Sequence, residues 1–248
     1  MTRPWHQRRP DLVREIQTDL QARYPILHLF LDARGQAEVR GTFPVLSDAG
    51  EVLDRFQVAI ELPAGFPDDL PVVRETAGRI PWTAARHVEI DGKACVLLPD
   101  DRWRCFPRGA SLLTFLDGPL RNFFLGQAIV ERGGAWPFGE WGHASDGVYE
   151  YYAELLHTTN EAVIRRSLDL LRRPCIKDAW PCPCGSGRTI ATCCKTLLLD
   201  LRTKVPPHIA AQSYRRVRET RWSRTVRRPL RPANLITIAG RPVSLPPD

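Results

Sequence analysis

The sequence contains no apolar run approaching the roughly 18 residues that a membrane-spanning helix needs. Its first fifteen residues, Met1 to Glu15, are polar and basic, which excludes a recognisable signal peptide. A soluble, cytoplasmic chain with no membrane partner is therefore expected. There is no internal repeat, and no low-complexity segment apart from an arginine-rich C-terminal stretch. Full disulfide pairing is excluded as well, because the cysteine count is seven, an odd number. Four of the seven fall within thirteen positions, and in a reducing compartment such crowding points to metal binding. Acidic residues are scarce beyond Leu201. Eleven Arg or Lys stand there against Glu219 and Asp248, a balance of +9 that leaves −2 for the rest of a chain whose total is +7.

What is present suffices for a folded domain. The 248 residues are 43% hydrophobic and 25% charged, enough for one sizeable core or a medium domain with appendages. Asp11 to Tyr24 carries Leu12, Ile16 and Leu20 on one helical stripe, with Pro25 as its stop. Short runs at Leu27–Asp32, Ala37–Pro44 and Arg55–Leu62, separated by Arg34-Gly35 and Asp48-Ala49-Gly50, predict an antiparallel meander. A proline-punctuated extended stretch from Pro63 to Pro71 leads to a further short strand around Val72. Leu112 to Val130 returns to helical spacing, and Tyr149 to Leu171 reads as a second long helix. The order helix, meander, loop, helix predicts an α+β domain rather than a parallel α/β sheet.

Cys182 and Cys184 are one residue apart, and eight residues later Cys193 and Cys194 are adjacent. Gly185 and Gly187 permit a tight backbone turn behind the first pair. Four thiolates at about 2.3 Å close a tetrahedral zinc site and leave no position for substrate. Cys175, just upstream, reads as a bystander. The run Cys182-Pro-Cys-Gly-Ser-Gly187 resembles the SEC-C motif, found at the C-terminus of the SecA translocation ATPase and in many bacterial proteins. That resemblance covers about fifteen residues and implies a structural zinc ribbon that contacts protein or nucleic acid.

A second set of landmarks surrounds Cys95. The stretch Leu62-Pro-Ala-Gly-Phe-Pro-Asp-Asp-Leu-Pro-Val-Val73 is followed by His87, Gly92, Cys95 and, eight residues after the cysteine, Trp103. Over roughly Asp11 to Gln127 this order resembles the ubiquitin-conjugating enzymes. The resemblance implies a helix and four-strand meander, a His-containing turn and a catalytic cysteine. That cysteine would carry a ubiquitin-like modifier as a thioester, received from an activating enzyme. Cys95 and His87 are the catalytic candidates, with His87 in the mainly structural role its family counterpart has. The thiolate is the reactive form, and only a few per cent of an ordinary thiol is ionised near neutral pH. The family's His-Pro-Asn is here His87-Val88-Glu89, so the asparagine that supports the oxyanion is missing. Either the donor comes from elsewhere, for example Asn122 or a backbone amide, or the site is catalytically weak. Asp100 and Asp101 either orient an incoming amine or cap a turn.

Two readings of Cys95 stay open. Ala94-Cys95-Val96-Leu97-Leu98 is apolar and also fits a buried strand with a core cysteine. The carrier reading requires an exposed thiol, and a non-catalytic adaptor predicts an occluded one. The aromatic loop Trp136–His143 is expected to plug against the domain, and His143 and His157 lack metal-ligand partners. Arg215, Arg216, Arg218, Arg221, Arg224, Arg227, Arg228 and Arg231, with Tyr214 and Trp222, form a basic tail able to dock an acidic protein or a nucleic acid. The expected organisation is a conjugating-enzyme-like domain at 1–145, a helical extension at 146–177, the zinc module at 178–200 and the basic tail at 201–248.

Overall fold

The computed structural model describes residues 4–32, 35–138, 141–142 and 145–220. It combines helices with an antiparallel sheet, and it divides into two compact units. One unit contains Met1–Leu97 and Cys105–Phe138; the other contains Leu98–Arg104 and the helices that follow Phe138. Among the described residues, no helix is long and apolar enough to cross a membrane.

In the first unit the helix Pro10–Arg23 starts with proline in its first turn, where the missing N–H costs nothing, and buries Leu12, Ile16 and Leu20. Four strands follow: β1 (Leu27–Leu31), β2 (Ala37–Leu46), β3 (Val52–Leu62) and β4 (Val72–Glu75). They pair antiparallel in chain order, with Val39 opposite Ile60 and Phe43 opposite Phe56. Alternation decides which face is buried: Val39, Phe43 and Val45 of β2 and Phe56, Val58 and Ile60 of β3 point into one core. Gly41 is required where it stands. Its φ is +142°, and an ideal Cβ would lie 2.0 Å from the carbonyl oxygen of Ile26. The proline-punctuated stretch after β3 contains a cis Phe66–Pro67 bond.

The chain from Leu112 to Glu131 is helical throughout, broadening into a π-helical turn at Leu116–Leu120. Pro119 sits in that turn, where its lack of an N–H prevents regular α-helical bonding. Phe124 from the last segment stacks on Phe56 at 4.6 Å and approaches Phe43 at 5.6 Å, which locks helix to sheet. Arg79 closes the same contact from outside. It pairs with Asp54 at 2.8 Å and Glu131 at 2.6 Å, and its guanidinium lies 4.1 Å from the centre of the Phe56 ring.

The second unit is helical. Where the spacing predicts one helix over Tyr149–Leu171, there are two, Ser145–Leu155 and Glu161–Leu171. The break follows from His157, which has φ +50°, and from Asn160, whose side-chain oxygen accepts from the amides of Ala162 and Val163 and so starts a new helix. The chain read as a basic tail from Leu201 begins with packed helices. Lys195–Lys204 and Pro207–Glu219 bury Leu201, Val205, Ile209, Ala210 and Val217 against Tyr149, Tyr152, Ile164 and Leu168. Arg215, Arg216 and Arg218 are exposed on the last of these helices. Arg221, Arg224, Arg227, Arg228 and Arg231 lie outside the described residues, as does His143.

A carboxyl stands at the centre of this unit. Asp100 is fully buried and accepts from the hydroxyls of Tyr152 and Ser213, both at 2.7 Å. Tyr151 donates to its backbone carbonyl at 2.8 Å, and Trp103 Nε1 donates in turn to the Tyr151 hydroxyl. Burial pushes the Asp100 carboxyl up, and the two hydroxyl donors offset only part of that. Neighbouring Asp101 is pushed up to about 6, again by burial, although Arg104 and the Trp141 indole N–H act against it. Arg104 Nε forms an ion pair with Asp101 Oδ1 at 2.9 Å.

Because the folded pKa of Asp101 lies above its unfolded value, its contribution is fully present below about pH 4 and is lost as pH rises through about 6. Denaturant titrations from pH 4 to pH 7.5 are expected to show the helical unit weakening across that window. In Asp101→Asn the portion due to this group, on the order of 2–3 kcal/mol, is expected to disappear.

Candidate functional site

The first candidate site is a hairpin in the sheet-containing unit. Val88 bridges to Ala94, the Glu89 amide donates to the Lys93 carbonyl at 2.8 Å, and the Gly92 amide closes the tip on the Glu89 carbonyl at 2.9 Å. Gly92 has φ +80°, and an ideal Cβ there would lie 2.9 Å from the Trp82 ring, so the tip demands glycine. The Ala94 amide ties the returning arm to the Val73 carbonyl of β4 at 2.9 Å. Cys95 then follows with an exposed side chain. The apolar run Ala94–Leu98 therefore does not bury this cysteine. At the hairpin tip, Trp82 against Gly92 is 59% exposed and Ile90 94% exposed.

His87 and Cys95 are brought together through the backbone: the Cys95 amide donates to the His87 carbonyl at 2.7 Å. His87 is buried, in the left-handed region with φ +50°, and its ring packs on Trp136 at 4.3 Å. Trp136 also touches Phe123 and Phe138, so this part of the aromatic loop packs onto the unit as its composition suggests. Glu89 faces the thiol, with Oε1 4.0 Å from Cys95 Sγ. Spacing alone does not reveal that approach, since the two residues are six apart and meet only because the tip is tight. Asn122, the alternative oxyanion donor, lies on the helix Arg121–Glu131. Asp100 is enclosed by hydroxyls in the helical unit, and Cys105 is half-buried.

The second candidate site is a four-sulfur cluster in the helical unit. Pro181 bridges to Thr189 and the Cys182 amide donates to the Arg188 carbonyl at 2.9 Å, forming a small hairpin. Gly185 at φ +83° and Gly187 at φ +76° turn its tip. A single turn, Ile190–Thr192, then delivers Cys193 and Cys194, and Cys194 caps the helix Lys195–Lys204. The sulfurs of Cys182, Cys184, Cys193 and Cys194 all lie within 4.8 Å of one another, with close approaches of 3.3, 3.5 and 3.6 Å. Bonds of about 2.3 Å to a tetrahedral centre would set sulfur–sulfur edges near 3.8 Å, so these four residues could hold a metal ion. Hydrogen bonding from Ser186 and Cys182 draws Cys184 down to about 6, whereas burial pushes Cys182 up. Beneath the cluster lie Leu170, Ile190 and Leu198, and Arg166 donates to the Pro183 carbonyl at 2.9 Å. Cys175 is exposed and is not among the four.

No family model, no curated protein and no solved structure matches this chain.

Gly126 tests the packing that holds His87. An added Cβ would lie 2.5 Å from the Trp136 ring. Gly126→Ala is expected to displace that ring and destabilise the sheet-containing unit by about 1–3 kcal/mol, measured by urea unfolding with tryptophan fluorescence as the readout.

Proposed function

We propose that this chain is a bacterial ubiquitin-conjugating-like protein that carries a ubiquitin-like modifier as a thioester on Cys95. The observation that carries the reading is the exposure of the Cys95 thiol at the foot of a tight hairpin that follows a helix and a four-strand meander. A core cysteine would have been occluded. The chemistry starts when the Cys95 thiolate attacks the carbonyl carbon of an activated modifier C-terminus, releasing the activating enzyme's thiol. A target amine then attacks the new thioester. The tetrahedral intermediate collapses to an amide, the Cys95 thiolate leaves, and the proton lost by the amine restores the thiol. His87 supports this from a buried position by fixing the backbone at Cys95.

The four-cysteine cluster is read as a SEC-C-type zinc site. Its donors are all sulfur, which suits zinc, and four thiolates fill the tetrahedron, so the role is structural. When bound, zinc would cross-link the hairpin to the helix Lys195–Lys204. The module and the exposed Arg215, Arg216 and Arg218 serve as contacts for an acidic protein or nucleic acid. One observation favours the alternative of a non-catalytic adaptor: the Glu89 carboxylate stands near the thiol, where an oxyanion needs a donor.

The test uses zinc-loaded full-length protein and a short glycine-terminated peptide thioester as acyl donor. Native alkylation is expected to modify Cys95 and the exposed Cys175, and Cys95→Ala to lose one of the two. The peptide thioester is expected to give a mass adduct on Cys95 that hydroxylamine removes. Alkylation of Cys95 only after unfolding, with Cys175 labelled natively, would sink the carrier reading. Glu89→Asn exchanges a repelling carboxylate for a donor, and acyl transfer from Cys95 to free lysine is expected to accelerate on the order of tenfold.

A further inference from the structure

The four sulfurs are not the whole of the metal centre. Four thiolates around a dication leave a net charge of about −2, and the cluster lies at the surface, with Cys184 exposed. One residue touches both halves of the site. The Arg188 carbonyl accepts from the Cys182 amide at 2.9 Å, and its own amide donates to Ser186 Oγ at 3.3 Å. Its guanidinium Nη2 lies 3.2 Å from Cys193 Sγ. Ser186 Oγ lies 3.4 Å from the same sulfur. The backbone of Arg188 thus fixes the first cysteine pair, while its side chain reaches across to the second.

We propose that Arg188 is the charge partner of the metal–thiolate centre: it orients Cys193 and compensates part of the excess negative charge. The inference rests on the metal reading above. Two physical terms act together. The guanidinium is permanently cationic, so it opposes the mutual repulsion of thiolates brought within 3.3 to 3.6 Å of one another. Its N–H also makes a charge-assisted hydrogen bond to a sulfur, which fixes the direction in which that ligand presents its lone pair. Among the described residues no carboxylate pairs with Arg188, whereas nearby Lys195 is neutralised by Asp178 at 2.6 Å. Arg188 therefore keeps its charge for the sulfurs.

The test compares full-length wild type, Arg188→Lys and Arg188→Gln. Zinc affinity is read by competition with a chromophoric chelator, and ligand geometry by the thiolate-to-metal absorption of the cobalt-substituted protein. Glutamine keeps a donor and removes the charge; lysine keeps the charge and loses the planar fork. Arg188→Gln is expected to weaken zinc by roughly tenfold or more, the scale of outer ligand-sphere changes, and to shift the cobalt band. Arg188→Lys is expected to retain most of the affinity. Circular dichroism of the metal-free variants checks that the helices are intact. Affinity and cobalt spectrum unchanged in Arg188→Gln would overturn the proposal, as would equal losses in the two variants, which would remove charge as the cause. A wild-type chain that takes up neither zinc nor cobalt would instead overturn the metal reading itself.

Discussion

The helical unit is organised by the need to satisfy one buried carboxyl. Leaving Asp100 unpaired in an apolar interior would cost several kcal/mol, and the chain meets that cost with hydroxyls from two helices. Tyr152 comes from Ser145–Leu155 and Ser213 from Pro207–Glu219. Both must sit within hydrogen-bond distance of the same side chain, so the register of the two helices is tied to a short segment that precedes them in sequence by dozens of residues. Tyr151 and Trp103 extend the same network, which is why three aromatic residues here carry polar atoms that all find partners. Apolar packing of Leu168, Leu201 and Val217 supplies bulk stabilisation, but it has no such directionality.

Much of the sheet-containing unit is legible because each strand alternates and each turn carries its own chemistry. Ala37, Val39, Phe43 and Val45 announce their face, and Asp48-Ala49-Gly50 announces the turn to β3. The cysteine cluster is equally plain, since four thiols at that spacing have few other uses. Other features are hidden for definable reasons. The helices over Leu201–Glu219 are masked by their arginines, because a charge count does not register Leu201, Val205, Ile209 and Val217 on the opposite face. The break at His157–Asn160 lies in a segment without proline or glycine, where only the capping asparagine gives a cue. Asp100 defeats sequence reading altogether: acids are expected at the surface, and its hydroxyl partners lie 52 and 113 positions away.

The Cys95 hairpin shows the opposite failure. Its apolar composition suggests a buried strand with a core cysteine, yet the thiol is exposed although Ala94 beside it is tied to β4. Ala94, Val96 and Leu97 pack against the core as the composition suggests, and Cys95 alone among them is exposed. The turn at Glu89–Gly92 sets Glu89 beside the sulfur. That turn requires Gly92, which has φ +80° and lies against Trp82.

The path of the chain between Leu97 and Cys105 has a further consequence. It leaves the first unit, contributes Leu98–Arg104 to the second, and returns. The two units are therefore not separate cassettes on the linear sequence. A fragment ending near Phe138 would retain Asp100 while losing Tyr152, Ser213 and the apolar side chains that enclose it, leaving Leu98–Arg104 with nothing to pack into. The helical unit alone would lack the acid its hydroxyls surround. A cut at the apparent boundary near Phe138 therefore divides the chain but not the structure, because those seven residues belong to the far side of it.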